Sequence, residues 1–287
     1  MLRTLNLRGV YVKKAIGIIG GDLRQRYLAD VLLKPVVFFA NESINERETV
    51  IKVCNLSDIF LESDIIIAPI PFSRDKKHVY SKYFVEVVSI ESFISKITKD
   101  NIIIGGPFTD EVLADFKNIG CSVIDITDIE TFKLKNAIPT AEGVIAEIIH
   151  KLDCTIHGSK GLILGYGYCG KRMAKNLKDL GASVEVYTLN SIEERAVPNN
   201  GLNLLCELPP NKKYNYIINT IPKVVLEAER ILACTTLFID ITEAYQMDHD
   251  CFVKMRGIPG RFSPRTAGTI IGEILNELIK SVTGEND

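Results

Sequence analysis

The chain has 287 residues, 46% of them hydrophobic and 24% charged, which is the balance of a folded protein long enough for two domains of ordinary size. Its formal net charge of -2 supplies no broad basic field, so nucleic acid is not expected as the main partner and cationic recognition has to be local. Apolar runs such as Ile65 to Ala68 stop at Pro69 and Pro71, far short of the roughly 20 residues of a membrane helix.

The opening stretch from Met1 to Lys14 interleaves Arg3, Arg8, Lys13 and Lys14 with its apolar residues, which is not the uninterrupted core of a secretion signal. A cytoplasmic location is therefore expected. Ala15 to Ile19 then reads as a strand, Gly20, Gly21 and Asp22 as a turn, Arg24 to Leu33 as a helix and Val36 to Phe39 as a second strand. Further strands are expected at Ile65 to Ala68, Val85 to Val88, Ile102 to Ile104 and Val123 to Ile126. Strands apolar on both faces belong in a parallel sheet covered by helices. Pro139 and Thr140 look like a helix start, and Val144, Ile145, Ile148, Ile149 and Leu152 follow as one stripe of a connecting helix. Strands at Gly161 to Leu164, Val184 to Tyr187, Tyr216 to Asn219 and Leu237 to Asp240 then alternate with helical stretches. The last helix has Ser263 as its cap, Pro264 in its first turn and an apolar face of Ile270, Ile271, Ile274, Leu275, Leu278 and Ile279. That face has to bury, against the first domain or the connecting helix. The expected fold is α/β with two parallel-sheet domains: a flavodoxin-like domain over residues 1–138 and a Rossmann-type dinucleotide-binding domain over 139–287.

The strongest signal is the run Gly165, Tyr166, Gly167, Tyr168, Cys169, Gly170, which leaves a strand and opens a helix as a dinucleotide fingerprint requires. Gly165 would allow the tight turn, Gly167 the approach of a pyrophosphate, and Gly170 close packing of helix on sheet. Met173, Ala174, Leu177 and Leu180 continue at helical spacing and Gly181 sits where a C-terminal cap belongs. An acid that would hold the ribose hydroxyls of NAD is missing directly after Tyr187, where the chain reads Thr188, Leu189, Asn190, Ser191. Thr188, Asn190 and Ser191 tolerate a 2′-phosphate, so NADP is the expected cofactor, with NAD as the other possibility.

Ligands of open parallel sheets gather at the carboxyl ends of the strands. That rule favours Asp22 and Arg24, Ser73 and Arg74, Pro107 to Thr109, the glycine loop, Asn219 to Lys223 and Asp240 to Glu243, and it disfavours His157, which precedes its strand. Arg24 and Arg265 each fall in the first turn of a helix, where a cation opposes the helix dipole unless an anion is near; both are read as carboxylate clamps at an interdomain cleft. The Arg74, Lys76, Lys77 run is read as a solvated loop. His78, His150 and His249 show no metal-ligand spacing, and the seven scattered cysteines form no CxxC, so no metal site and no disulfide framework are expected.

Four segments together resemble the A-subunit family of bacterial dipicolinate synthase: IGIIGGDLRQ at 16 to 25, IPTAEGVIAEIIHKLDCTIHGSKGLILGYGYCG from Ile138, INTIP at 218 to 222, and GIPGRFSPRTAGTIIGEIL at 257 to 275. The resemblance implies an oxidoreductase that makes dipicolinate during sporulation together with the flavoprotein-like B subunit of dipicolinate synthase. Applied to these residues, it places a nicotinamide ring near Asn219, Thr220, Ile221 and Pro222, substrate carboxylates on Arg24 and Arg265, and an orienting hydroxyl on Thr266 or Ser73. Asn219, Thr220 and Thr266 are then the expected catalytic residues. After Asp240 the family pattern leads one to expect a glycine-rich turn, whereas the chain reads Ile241, Thr242, Glu243, Ala244, Tyr245. Two other readings stay open: a 2-hydroxy acid dehydrogenase, for which only His249 beside Asp248 and Asp250 is loosely placed as acid/base, and a non-catalytic nucleotide-binding component of a complex.

Overall fold

The structure, a computed structural model, describes residues 3–5, 11–13, 15–84, 86–208 and 212–284. A short antiparallel pair, β1 (Arg3–Leu5) and β2 (Tyr11–Lys13), precedes the first sheet. That sheet contains β3 (Ala15–Ile19), β4 (Val36–Phe39), β5 (Val50–Lys52), β6 (Ser63–Ile67), β7 (Ile102–Gly105) and β8 (Ser122–Asp125). All six run parallel in the order β5-β4-β3-β6-β7-β8. Helices α1 (Leu23–Val31), α2 (Leu56–Glu62), α3 (Ile90–Ile94) and α4 (Asp110–Ile119) lie between the strands in sequence. The period-2 alternation of a strand explains the two cores. Ile16 and Ile18 of β3 join one apolar cluster with Leu28 of α1, whereas Ile19 joins another with Ile59 of α2 and Phe93 of α3.

After α5 (Glu130–Lys151) the second sheet repeats the plan with β9 (Lys160–Leu164), β10 (Ser183–Tyr187), β11 (Asn203–Leu204), β12 (Tyr214–Asn219), β13 (Thr235–Asp240) and β14 (Phe252–Lys254). Its order is β11-β10-β9-β12-β13-β14, again all parallel. Helices α6 (Tyr168–Asp179), α7 (Ser191–Asn199), α8 (Ala228–Cys234), α9 (Ile258–Phe262) and α10 (Pro264–Thr283) complete the chain. The two expected parallel-sheet α/β units are present. Counted within its own sheet, each has the doubly wound order 3-2-1-4-5-6, so the first unit takes the order of the second in place of the flavodoxin-like 2-1-3-4-5. The strand that reveals this order, β5, is three residues long with only Val50 buried, too short to stand out as an apolar run.

Packing divides the chain into one unit of Met1–Lys133 with Pro264–Asp287 and another of Leu134–Ser263. The last helix, grouped by sequence with residues 139–287 but with an apolar face expected to bury against the first domain or the connecting helix, packs within the first unit. Ile270, Ile271, Ile274, Leu275 and Ile279 are buried in the cluster that holds Ile16 and Leu28, each contributing about 1.5–3 kcal/mol by burial. Two glycines let α10 approach α1 closely: a Cβ on Gly268 would lie 2.4 Å from the Arg24 carbonyl oxygen, and one on Gly272 would lie 2.9 Å from Val31 Cβ. Asn276 completes the contact by donating to the Val31 carbonyl at 3.0 Å and accepting from the Leu33 amide at 3.1 Å.

Two expected elements differ. Of the strand expected at 85–88, Val85 lies outside the described residues and 86–88 are not in a strand; Val88 instead accepts a hydrogen bond from the Val79 amide at 2.9 Å. Pro139 does not start a helix but lies inside α5, which begins at Glu130. Proline cannot donate to the preceding turn; next to it, the Thr140 hydroxyl donates to the Asn136 carbonyl at 2.7 Å.

Candidate functional site

The glycine loop leaves β9 with Gly165 at φ +99°, a conformation that disfavours any side chain. A Cβ there would stand 2.3 Å from Thr220 Oγ1, and one on Gly170 would stand 2.2 Å from the Gly165 carbonyl oxygen. These two glycines let helix and neighbouring loop close on the strand. Gly167 is different: the nearest atom to a Cβ would be Glu193 Oε1 at 3.6 Å, so the backbone there is open to an approaching group. Gly167 also caps α6 without a side-chain hydrogen bond. The loop thus has the three properties a pyrophosphate site needs: a turn, an open backbone and a helix N-terminus.

Around it, Tyr166 is 2% exposed and packed in the core, whereas Tyr168 is 40% exposed at the start of α6. Cys169 is no nucleophile: burial pushes its thiol up to about 11, with the Thr140 hydrogen bond opposing that rise. The thiol is therefore neutral at ordinary pH.

Sequence reading missed the acid of this site. Asn190 caps α7, accepting from the amides of Ile192 at 2.9 Å and Glu193 at 3.4 Å. Glu193 then reaches back to the glycine loop, accepting from the Tyr166 amide at 3.0 Å and from the Thr188 hydroxyl at 2.5 Å, while Thr188 Oγ1 accepts from the Asn190 amide at 3.3 Å. Ser191 is exposed at the start of the same helix. No acid directly follows Tyr187, as expected, yet a carboxylate does stand beside the loop, supplied by the first turn of α7. The Asn-x-x-Glu spacing was its signal. Glu185, by contrast, is engaged inside the sheet by Tyr214 at 2.8 Å and Lys212 at 2.6 Å.

At the ends of β12 and β13, Asn219 is fully buried and donates to the Ile221 carbonyl, Asp240 Oδ1 and Thr242 Oγ1 at 2.9–3.0 Å, while accepting from the Ile221 amide at 3.2 Å. Asp240 also accepts from Thr242 and, through Oδ2, from the Tyr245 amide at 3.0 Å. The Thr220 hydroxyl donates to the Leu164 carbonyl at 2.9 Å. Asn219 and Thr220, expected to be catalytic, are thus engaged in holding the loop, Asn219 to the end of β13 and Thr220 to the end of β9 just before the glycine turn, and Ile221 and the exposed Pro222 form its outer edge. The segment after Asp240 needs no glycine. Glu243 adopts φ +67° and pairs with Arg256 and with Lys254, and Tyr245 packs edge-on against Phe238 with its hydroxyl accepting from the amides of Val225 and Leu226 at 3.0 Å.

The remaining candidates lie in the first unit. Arg24 is 3% exposed; its Nε and Nη2 donate to the two oxygens of Asp22 at 2.9 Å, and Nη2 also donates to the Ile70 carbonyl. It is a buried brace between the turn after β3 and the segment after β6, which replaces the expected free carboxylate clamp. Arg265 is exposed in the first turn of α10, 5.6 Å from the Tyr27 ring centroid, and Thr266 beside it is exposed too. Ser73 bridges its own loop, donating to Asp75 at 3.2 Å and accepting from the Lys76 amide at 3.0 Å. His157 stands against Gly181, ahead of β10, at the sheet edge opposite the glycine loop.

Among the described residues no group of three His, Cys, Asp or Glu side chains could hold a metal ion. Among them, too, no helix is long and apolar enough to cross a membrane.

Residues 15–127 match the family described as the N-terminal domain of the dipicolinate synthase A subunit. Over 291 aligned residues the chain is 27% identical to the dipicolinate synthase A subunit of Bacillus subtilis (strain 168), covering 94% of this chain and 97% of that one. The crystal structure of the same Bacillus subtilis component superposes with a TM-score of 0.80 at 25% identity, covering 95% of this chain and 97% of the other. That of the A subunit from Bacillus halodurans superposes at 0.81 with 23% identity, covering 93% and 97%. A transhydrogenase from Sinorhizobium meliloti shares the fold at a TM-score of 0.64 and 12% identity, covering 93% and 92%. In sequence and in both doubly wound sheets, the chain is similar to the dipicolinate synthase A subunit.

Proposed function

We propose that the chain is the dehydrogenase component of a dipicolinate synthase. It oxidises dihydrodipicolinate, or its hydrated precursor, with a nicotinamide dinucleotide held at Gly165 to Gly170, in the cytoplasm of a sporulating cell and together with the B subunit of the synthase. The observation that carries this reading is the glycine loop: turned through a positive φ at Gly165, open at Gly167 and closed at Gly170. When bound, the nicotinamide supplies a hydride acceptor. The protein's own part is to hold and orient. The α6 N-terminus meets the pyrophosphate, Ile221 and Pro222 border the nicotinamide end, and Glu193 accepts the adenosine ribose hydroxyls. NADP was the expectation from Thr188, Asn190 and Ser191; the Glu193 carboxylate opposes a 2′-phosphate, so we assign the preference to NAD. Loss of hydride and proton aromatises the substrate ring, so no strong histidine base is required.

The test supplies the purified chain, with and without the B subunit, with dihydrodipicolinate and either dinucleotide, and follows nicotinamide reduction. Reduction that disappears in a Gly167→Asp variant supports the reading. No reduction in any combination overturns it and leaves a binding role.

A further inference from the structure

The first unit contains a cavity of about 300 Å3 lined by residues that follow three neighbouring strands: Gly20 after β3, Ala40 after β4, and residues of the segment 74–88 after β6. In an open parallel sheet the place where successive connections leave in opposite directions is where ligands bind. Here that place is the junction of β3 with β6. The cavity wall is fastened to it by backbone: the Gly21 amide donates to the Tyr80 carbonyl at 2.6 Å, the Lys82 amide to the Gly21 carbonyl at 2.7 Å, and the Ser81 hydroxyl to the Ala40 carbonyl at 2.5 Å. Gly20 is what allows this, since a Cβ on it would lie 2.5 Å from the Tyr80 oxygen.

The walls are mostly apolar, and Phe84 and Val87 are about half exposed at 48% and 51%. Against them stands one guanidinium. The Arg74 guanidinium carbon lies over the Tyr80 ring, 4.1 Å from its centroid, a cation–π contact that spends none of its N–H donors. No carboxylate among the described residues pairs with it. The adjacent Asp75 also lines the cavity, but its oxygens are engaged within its own loop: it accepts from His78 Nδ1 at 2.6 Å, from the amides of Lys77 and His78 at 2.9 and 2.8 Å, and from Ser73. Those donors, His78 foremost, hold its carboxyl well below the usual carboxylate range. Its charge is thus compensated within the loop. Glu86 also lines the cavity but is exposed, where water and salt screen it.

We propose that this cavity binds a flat cyclic carboxylic acid, the ring lying on the apolar wall and Arg74 taking one carboxylate through two parallel hydrogen bonds. His78, whose Nδ1 donates to Asp75, presents Nε2 as an acceptor, suited to a hydroxyl or ring N–H of the ligand and not to its carboxylates. On the reading given under Proposed function, on which this identification rests, the acid is the dihydropyridine dicarboxylate substrate. The loop read from sequence as merely solvated is then the recognition loop, in place of Arg24.

Calorimetric titration of the full chain with dipicolinate tests this, with dinucleotide titration of the same samples as the check on folding. Arg74→Ala should weaken dipicolinate about tenfold or more, the loss of a charge-assisted pair, with dinucleotide affinity unchanged. Arg74→Lys should recover only part, and Glu86→Gln should leave binding equal or slightly tighter. The proposal is overturned if wild type shows no binding of dipicolinate, or if Arg74→Ala binds it as tightly. Binding through Arg74 in a chain that never reduces a nicotinamide leaves the cavity assignment standing and removes the dehydrogenase reading. Reduction with an unchanged KM in Arg74→Ala does the reverse.

Discussion

Replacing Glu193 with alanine tests the cofactor assignment most sharply, because its effects on NAD and NADP have opposite sign. The carboxylate accepts from the Tyr166 amide and the Thr188 hydroxyl beside Gly167 and is partly exposed. Ribose hydroxyls donating to it form charge-assisted bonds worth about 1.5–3 kcal/mol; partial exposure favours the lower end, so NAD should bind roughly tenfold more weakly without it. A 2′-phosphate placed about 4 Å from the same carboxylate meets repulsion of about 1 kcal/mol per charge pair in water and about 4 at an effective dielectric of 20. Its removal should strengthen NADP tenfold or more. Any loosening of the glycine loop weakens both dinucleotides alike and cancels in their ratio, which should shift about 100-fold toward NADP, the product of the two tenfold effects. Calorimetry or fluorescence titration of wild type and variant measures that ratio. A wild type that prefers NADP, together with an unchanged ratio in Glu193→Ala, would refute the argument.

Three further outcomes follow from the same geometry. Gly165→Ala should abolish dinucleotide binding while leaving the first unit folded, because φ +99° and a Cβ 2.3 Å from Thr220 Oγ1 force the turn open; wild-type affinity in that variant would contradict it. Arg24→Ala should lower the stability of the full chain to denaturant by about 3–5 kcal/mol, since it strands the buried Asp22 carboxylate; a change below about 1 kcal/mol would mean the pair is dispensable. With its thiol pushed up to about 11, Cys169 should be alkylated at pH 8 after the exposed Cys54, Cys154 and Cys206, and faster as pH climbs through 10. Peptide mass spectrometry reads the order, and early labelling of Cys169 would show a reactive thiol.

Much of this architecture was legible because its signals are local. Continuous apolar runs marked β3, β4, β7 and β9, and the spacing of three glycines marked the dinucleotide turn. What escaped is set by tertiary contact. β5 and β11 carry too few buried residues to announce themselves, and Pro139 sits within a helix that its surroundings hold together. The candidate site shows the same division. Gly165, Gly167 and Gly170 have backbone roles that a pattern can encode, whereas Asn219, Thr220 and Arg24 became braces only when partners distant in sequence, Asp240, Leu164 and Ile70, were brought to them. Glu193 was passed over because the acid was sought at the end of β10; it comes from the first turn of α7. Arg74 stood at a favoured strand end, but its run of basic residues read as a solvated loop until the Tyr80 ring was found against it.

The central claim is that oxidation of the substrate ring and reduction of a nicotinamide are one event on this chain. It is tested most directly by quantifying both products in a single anaerobic sample of the chain with the B subunit, dihydrodipicolinate and NAD. The account expects one reduced nicotinamide for each dipicolinate formed, with both falling together in Gly165→Ala. Dipicolinate that accumulates without nicotinamide reduction would contradict it.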